Sequence, residues 1–215
     1  MELAIGYFEQ GLDPVALDEV KLALNADPSF PQAFNLRGLI YTRLNEPQLA
    51  EDSFRRALEL DPRSGDTMHN FGWFRCQQNQ LPQAIELFNR ALASPNYGSA
   101  ARTWLAKGTC QVRAGQAADA EASFNRSFEL DASNPVTATS LARLLLARGD
   151  LERARFYARR VNSSEFVSPE SLWLAARIER RAGNMDLANQ LGTELRRRFP
   201  QSREVVAFER GRWDE

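Results

Sequence analysis

The stretch from Pro31 to Ser64, PQAFNLRGLIYTRLNEPQLAEDSFRRALELDPRS, decides the fold. Phe34, Gly38 and Tyr41 are spaced three and four apart, so they share one face of a helix; Ala50, Phe54 and Ala57 share a face of a second helix in the same way. Pro62 closes the unit, because proline disfavours a helical residue before it. Small residues at 38 and 50 let the two helices approach closely, and the aromatic side chains fill what remains. One such pair leaves an apolar side uncovered until a neighbouring pair stacks on it.

That spacing returns along the whole chain with a period of 34 residues. It resembles the tetratricopeptide repeat (TPR), whose eight signature positions are matched at seven in residues 31–64, with Arg37 standing where an apolar residue is usual. The resemblance implies an all-α, right-handed superhelical solenoid of six helix-turn-helix repeats, one TPR domain over residues 1–215. The repeats fall at about 1–30, 31–64, 65–100, 101–134, 135–168 and 169–200. A capping helix is predicted over 201–213, with Val205, Val206 and Phe208 on one stripe. Gly11, Gly115, Gly149 and Gly183 occupy the same place in their repeats, the turn between the two helices, where glycine ends a helix in a left-handed conformation. Two extra residues within Pro95–Gly98 shift the frame after repeat three, and Arg75 stands where a tyrosine is usual. Met1 falls inside the first repeat, so the natural chain is expected to extend upstream.

Composition narrows the function. A net charge of −1 argues against a general polyanion binder, and no nucleic-acid partner is expected. No run of 18 apolar residues exists to span a membrane. His69 is the single histidine, at position 5 of repeat three, which places it on the concave face as a contact or surface residue. A nucleophile, an orienting acid and an oxyanion site lack candidates, so no catalytic residue is assigned and the protein is not read as an enzyme. No Cys/His cluster has zinc spacing and no glycine-rich loop follows a strand, so neither a metal nor a cofactor is expected.

Cys76 and Cys110 are the two cysteines. They fall at positions 12 and 10 of repeats three and four, at nearly the same height on neighbouring first helices. Two residues of helical rotation is about 200°, so the side chains can face one another across the helices. A disulfide is feasible, closing a loop of roughly 35 residues for roughly 3–4 kcal/mol in the chain-entropy model. The other reading is a pair of buried thiols used as small apolar residues.

In TPR arrays the first helices line the concave side through positions 2, 5, 9, 12 and 13. The candidate partner-binding groove is then Ile5, Phe8, Asn35, Leu39, Thr42, Arg43, His69, Asn70 and Trp73. Large apolar groups at positions that face solvent await a partner, most simply an amphipathic helix or extended peptide. The clamp by which some TPR domains grip a C-terminal carboxylate is poorly matched, since its first lysine is absent.

A narrower resemblance lies outside the repeat signature. The string from His69 to Cys76, HNFGWFRC, resembles the NNYGWFLC stretch of the type IV pilus biogenesis and stability lipoproteins, the PilF/PilW pilotins. Lys107-Gly108-Thr109-Cys110 resembles that family's KGIC, and Ser94-Pro95-Asn96-Tyr97 its DPTYP insertion. The resemblance implies a lipoprotein at the periplasmic face of the outer membrane that helps the pilus secretin reach that membrane and form its ring. It also implies that membrane attachment is only through an N-terminal lipid on a cysteine outside this chain. A monomer is expected. The alternatives are a TPR adaptor assembling a cytoplasmic or envelope complex, and a TPR module of a larger enzyme with a domain beyond residue 215.

Overall fold

A computed structural model describes residues 1–95 and 97–213. Among them are thirteen α-helices and no strand. They fall into two compact units, Met1–Gln116 and Ala117–Glu215. The first holds α1 (Glu2–Glu9), α2 (Asp13–Ala26), α3 (Pro31–Arg43), α4 (Pro47–Leu60), α5 (Gly65–Gln77), α6 (Leu81–Leu92) and α7 (Ala100–Arg113). The second holds α8 (Ala117–Leu130), α9 (Pro135–Arg148), α10 (Leu151–Asn162), α11 (Pro169–Arg181), α12 (Met185–Arg198) and the short α13 (Arg203–Glu209). No helix among the described residues is long and apolar enough to cross a membrane.

In two pairs of the first unit, α3–α4 and α5–α6, the helices meet where a glycine faces an aromatic ring. A methyl group added at Gly38 would lie 2.6 Å from Cε1 of Phe54, and one at Gly72 would lie 2.9 Å from Cε1 of Phe88. Phe54 and Phe88 are fully buried. Phe54 stacks on Phe71 at 5.4 Å between centroids and tilts against Phe74 at 5.8 Å, so one ring links two successive repeats. Face-offset and tilted arrangements of this kind add to area burial through the ring quadrupoles.

Two arginines stand at apolar signature positions, and both are accommodated by lying on rings. The Arg37 guanidinium is 4.7 Å from the Phe34 centroid, and its Nε donates to Ser53 Oγ at 3.0 Å. Arg75 lies 4.7 Å from the Phe71 centroid and pairs with Glu51 at 2.7 Å. The long aliphatic stem covers the core while the charge finds a ring face and a partner.

Every repeat turns between its helices on a left-handed residue. Four are the glycines noted above; the other two are Asn45 (φ 58°) and Asn79 (φ 60°). Asparagine is among the few residues with a side chain that tolerate this region. Three of the second helices end on an aspartate that accepts the backbone N–H two residues on: Asp27 from Ser29 (2.9 Å), Asp61 from Arg63 (3.1 Å) and Asp131 from Ser133 (3.0 Å).

The second unit ends as an open repeat array needs to end. Val205 is buried and Phe208 packs edge-on to Trp173 at 6.3 Å, while Trp213 tilts over Trp173 at 4.8 Å. Val206, which the stripe placed inward with these two, is 43% exposed. One hundred degrees per residue separates it from Val205, and the inner face takes only Val205 and Phe208.

The glycine contacts yield a coupling test. Gly38→Leu should cost about 3 kcal/mol through overpacking, and Phe54→Ala about 3–5 kcal/mol through the cavity it leaves. The double variant should be less destabilised than the sum by about 1 kcal/mol or more, because the added side chain enters that cavity. Urea denaturation of the four proteins measures this, and strictly additive costs would contradict the packing.

Candidate functional site

Of the groove residues, Ile5, Leu39 and Trp73 hold the same position in three successive first helices, 34 residues apart. Ile5 is 43% exposed on α1 and Trp73 is 36% exposed on α5. Leu39 is half-buried against the cluster of Phe54, Phe71 and Phe74, so it is largely a packing residue. Phe8 is likewise half-buried, lying under the Arg43 guanidinium at 3.7 Å from its centroid. Arg43 is pinned in turn: its Nη2 donates to the Phe8 carbonyl at 2.6 Å and its Nε to Asp13 at 2.8 Å. Asp13 was not among the sequence candidates, because its partner lies 30 residues away on another helix.

Between these lies a polar seam. Asn70 Nδ2 donates to Asn35 Oδ1 at 3.1 Å, joining α5 to α3. The Thr42 hydroxyl is turned onto its own helix, donating to the Gly38 carbonyl at 2.8 Å. The face therefore presents exposed apolar groups at Ile5 and Trp73 with amides and a fixed arginine around them.

His69 is not on this surface. It is buried, with 7% of its area exposed, and its Nδ1 is 2.8 Å from Thr103 Oγ1 on α7. The Tyr97 hydroxyl reaches the same Thr103 oxygen at 2.7 Å. His69 also packs against the Phe88 ring at 5.8 Å between centroids, so neighbouring helices account for these contacts. Tyr97 lies over α5, where its Cδ2 would be 2.5 Å from a methyl group placed on Gly65. Repeat periodicity places position 5 on its helix but carries no information about such long-range contacts. Burial, reinforced by the charge of Arg102, lowers the His69 pKa to about 4. Burial also raises the Tyr97 phenol.

Cys76 and Cys110 are joined as a disulfide between α5 and α7, with Cα atoms 5.9 Å apart, an ordinary span for such a bridge. Both are fully buried, in a cluster with Ala84, Phe88 and Ala106. Asp66 and Arg102 add a looser ion pair at 4.0 Å across the same two helices. Covalent bridge, hydrogen-bonded triad and ion pair thus all fasten α7 to α5.

Paired helices turning on left-handed residues, with a small residue of the first helix packed against the second, define a repeat class. Models of the tetratricopeptide repeat match residues 31–64, 53–86, 75–135 and 139–203, and the chain belongs to that family. Within it the chain is similar to the type IV pilus assembly protein PilF of Pseudomonas aeruginosa, 26% identical over 97% of this chain and 83% of the relative. It is similar also to the crystal structure of PilW, described as a widely conserved type IV pilus biogenesis factor. That likeness has a TM-score of 0.88 and 31% identity, over 96% of this chain and 95% of the other. The solved structure of Pseudomonas aeruginosa PilF superimposes with a TM-score of 0.87 at 26% identity over 98% and 95%. The protein is a homologue of PilF and PilW, type IV pilus biogenesis TPR proteins.

The buried histidine has a pH signature. In the unfolded chain it titrates near 6.5, while in the fold it stays neutral down to about 4. The unfolded state therefore binds more protons in that window, so this contribution is complete above about pH 6.5 and is lost as pH falls toward 4. The loss is on the order of 3 kcal/mol. Urea denaturation from pH 8 to pH 4 should show the wild type losing more stability than His69→Gln. Parallel profiles for the two proteins would contradict the burial of a neutral imidazole.

Proposed function

We propose that this protein is a non-enzymatic binding scaffold for type IV pilus assembly. It promotes outer-membrane localisation and multimerisation of the pilus secretin, holding a secretin segment on the inner face of its first unit. The reading is supported above all by the likeness to PilW, which extends over 96% of the chain at 31% identity. The face itself supplies the second support. Ile5 and Trp73 expose large apolar groups at the position a TPR array turns toward its partner.

The location goes with the reading: the periplasmic face of the outer membrane, with an N-terminal lipid as the anchor and a monomer as the working form. An oxidising periplasm suits the Cys76–Cys110 bridge, since cytosolic thiols are kept reduced. The binding segment is an amphipathic helix or an extended strand whose apolar side chains meet Ile5 and Trp73. Its polar groups meet the Asn35–Asn70 amides and Arg43.

The test uses residues that lie outside the buried clusters. Phe8 and Leu39 are partly packed, so charging them confounds binding with folding. Ile5→Glu combined with Trp73→Glu avoids that problem. The double variant should keep its helical circular dichroism and remain folded at the assay temperature, with some loss of midpoint from the covered part of Trp73. It should lose roughly tenfold or more in affinity for the secretin subunit, as exposed aromatic anchors commonly do, and fail to support secretin multimers in cells. Normal multimers with a folded double variant would sink the proposal.

A further inference from the structure

Two connections between repeats are longer than the rest, residues 93–99 and 163–168. Each carries one aromatic residue. In the first unit that residue, Tyr97, is spent internally on Gly65 and Thr103. In the second unit the equivalent, Phe166, has no such seat and is 49% exposed. Phe156, on α10, is 57% exposed. The two phenylalanines border an open cleft of about 570 Å³, together with Pro135, Ala138 and Val161.

The cleft is held in shape. The Phe166 backbone N–H donates to Ser164 Oγ at 3.2 Å, and that hydroxyl donates to the Val161 carbonyl at 2.7 Å. On the other side, Arg160 Nε donates to the Ala132 carbonyl at 3.0 Å, and its guanidinium lies 5.4 Å from the Phe128 centroid. The charged side chains lining the cleft are Arg159 and Arg160, with no carboxylate among them; Asp131 and the exposed Glu165 belong to the bounding segments but do not line it. Arg159 meets Glu179 at the long distance of 3.6 Å, and its side chain is 64% exposed. Glu179 is meanwhile held by both nitrogens of Arg155, at 2.7 and 2.9 Å.

We propose that this cleft docks an acidic peptide segment of a partner protein. One large apolar side chain enters between Phe156 and Phe166, and flanking carboxylates pair with Arg159 and Arg160. Charge complementarity selects the acidic partner, because an exposed arginine beside an apolar recess favours a carboxylate in bidentate geometry. The recess is concave, bounded by the turn at 131–134 and by the 163–168 connection. That shape suits a protruding side chain better than a flat bilayer. The site lies wholly in the second unit and does not rest on the secretin reading.

The probe is a short acetylated, fluorescein-labelled peptide carrying a phenylalanine–leucine pair flanked by glutamates. Its control replaces the glutamates with lysines. Fluorescence anisotropy against the full chain should show saturable binding of the acidic peptide, at least about tenfold tighter than the control and weakened by salt. Phe166→Ala and Arg159→Gln should each reduce that binding several-fold with circular dichroism unchanged, since both side chains are largely exposed. Equal binding of the two peptides, indifference to both substitutions, or no binding would overturn the proposal. So would sedimentation showing self-association that Phe166→Ala abolishes, which makes a second copy the occupant. Binding to phosphatidylglycerol vesicles that requires Phe166, without peptide binding, would assign the cleft to lipid instead.

Discussion

The close approach of a glycine to a buried phenylalanine ring, Gly38 on Phe54 and Gly72 on Phe88, is the contact on which the first unit depends. Any side chain at those glycines would push a pair of helices apart. Because the first helix of each pair also presents the inner face, that contact fixes the depth of the face as well as the stability of the pair. Phe54 stacks onward to Phe71 and Phe74 of the next repeat, so an error at one pair propagates to its neighbour. The two arginines at apolar signature positions do not disturb this frame, because each spreads over a ring already in place.

The features that separate this chain from a generic repeat array converge on one junction. The disulfide, the His69–Thr103–Tyr97 triad and the Asp66–Arg102 pair all connect α5 to α7 or to the loop between them. Trp73 lies on α5, among them in sequence. A helix fastened this way holds its exposed aromatic group in a fixed position, and on the proposed function that lowers the ordering cost of binding a partner. The departures from the 34-residue period thus share one structural effect, the fastening of α5 to α7.

Much of the architecture was legible in the sequence, for a stated reason. Helical pairs are specified by local spacing, and the glycine, alanine and aromatic positions that define it are read directly from residues 31–64. The unread parts are those in which a long-range contact overrides the local pattern. Asn45 and Asn79 serve the same left-handed turns as the four glycines, yet asparagine is common elsewhere and gives no comparable signal. His69 sits at a groove position by period but is buried, bonded to Thr103 on α7 and packed against Phe88 on α6, contacts that no period encodes. Leu39 and Phe8 are at groove positions too, and packing against Phe54 and under Arg43 takes much of their surface. Phe166 gives no sequence signal, because a single aromatic residue in a connection looks the same whether it is seated, as Tyr97 is, or left open.

The central claim is that the first unit's inner face receives the pilus secretin. Hydrogen–deuterium exchange of the protein, alone and with the purified periplasmic part of the secretin, tests it most directly. Slowed exchange is expected in Glu2–Glu9, Pro31–Arg43 and Gly65–Gln77, the helices that carry Ile5, Asn35, Asn70 and Trp73. Unchanged exchange throughout, or protection confined to residues 117–213, would contradict it.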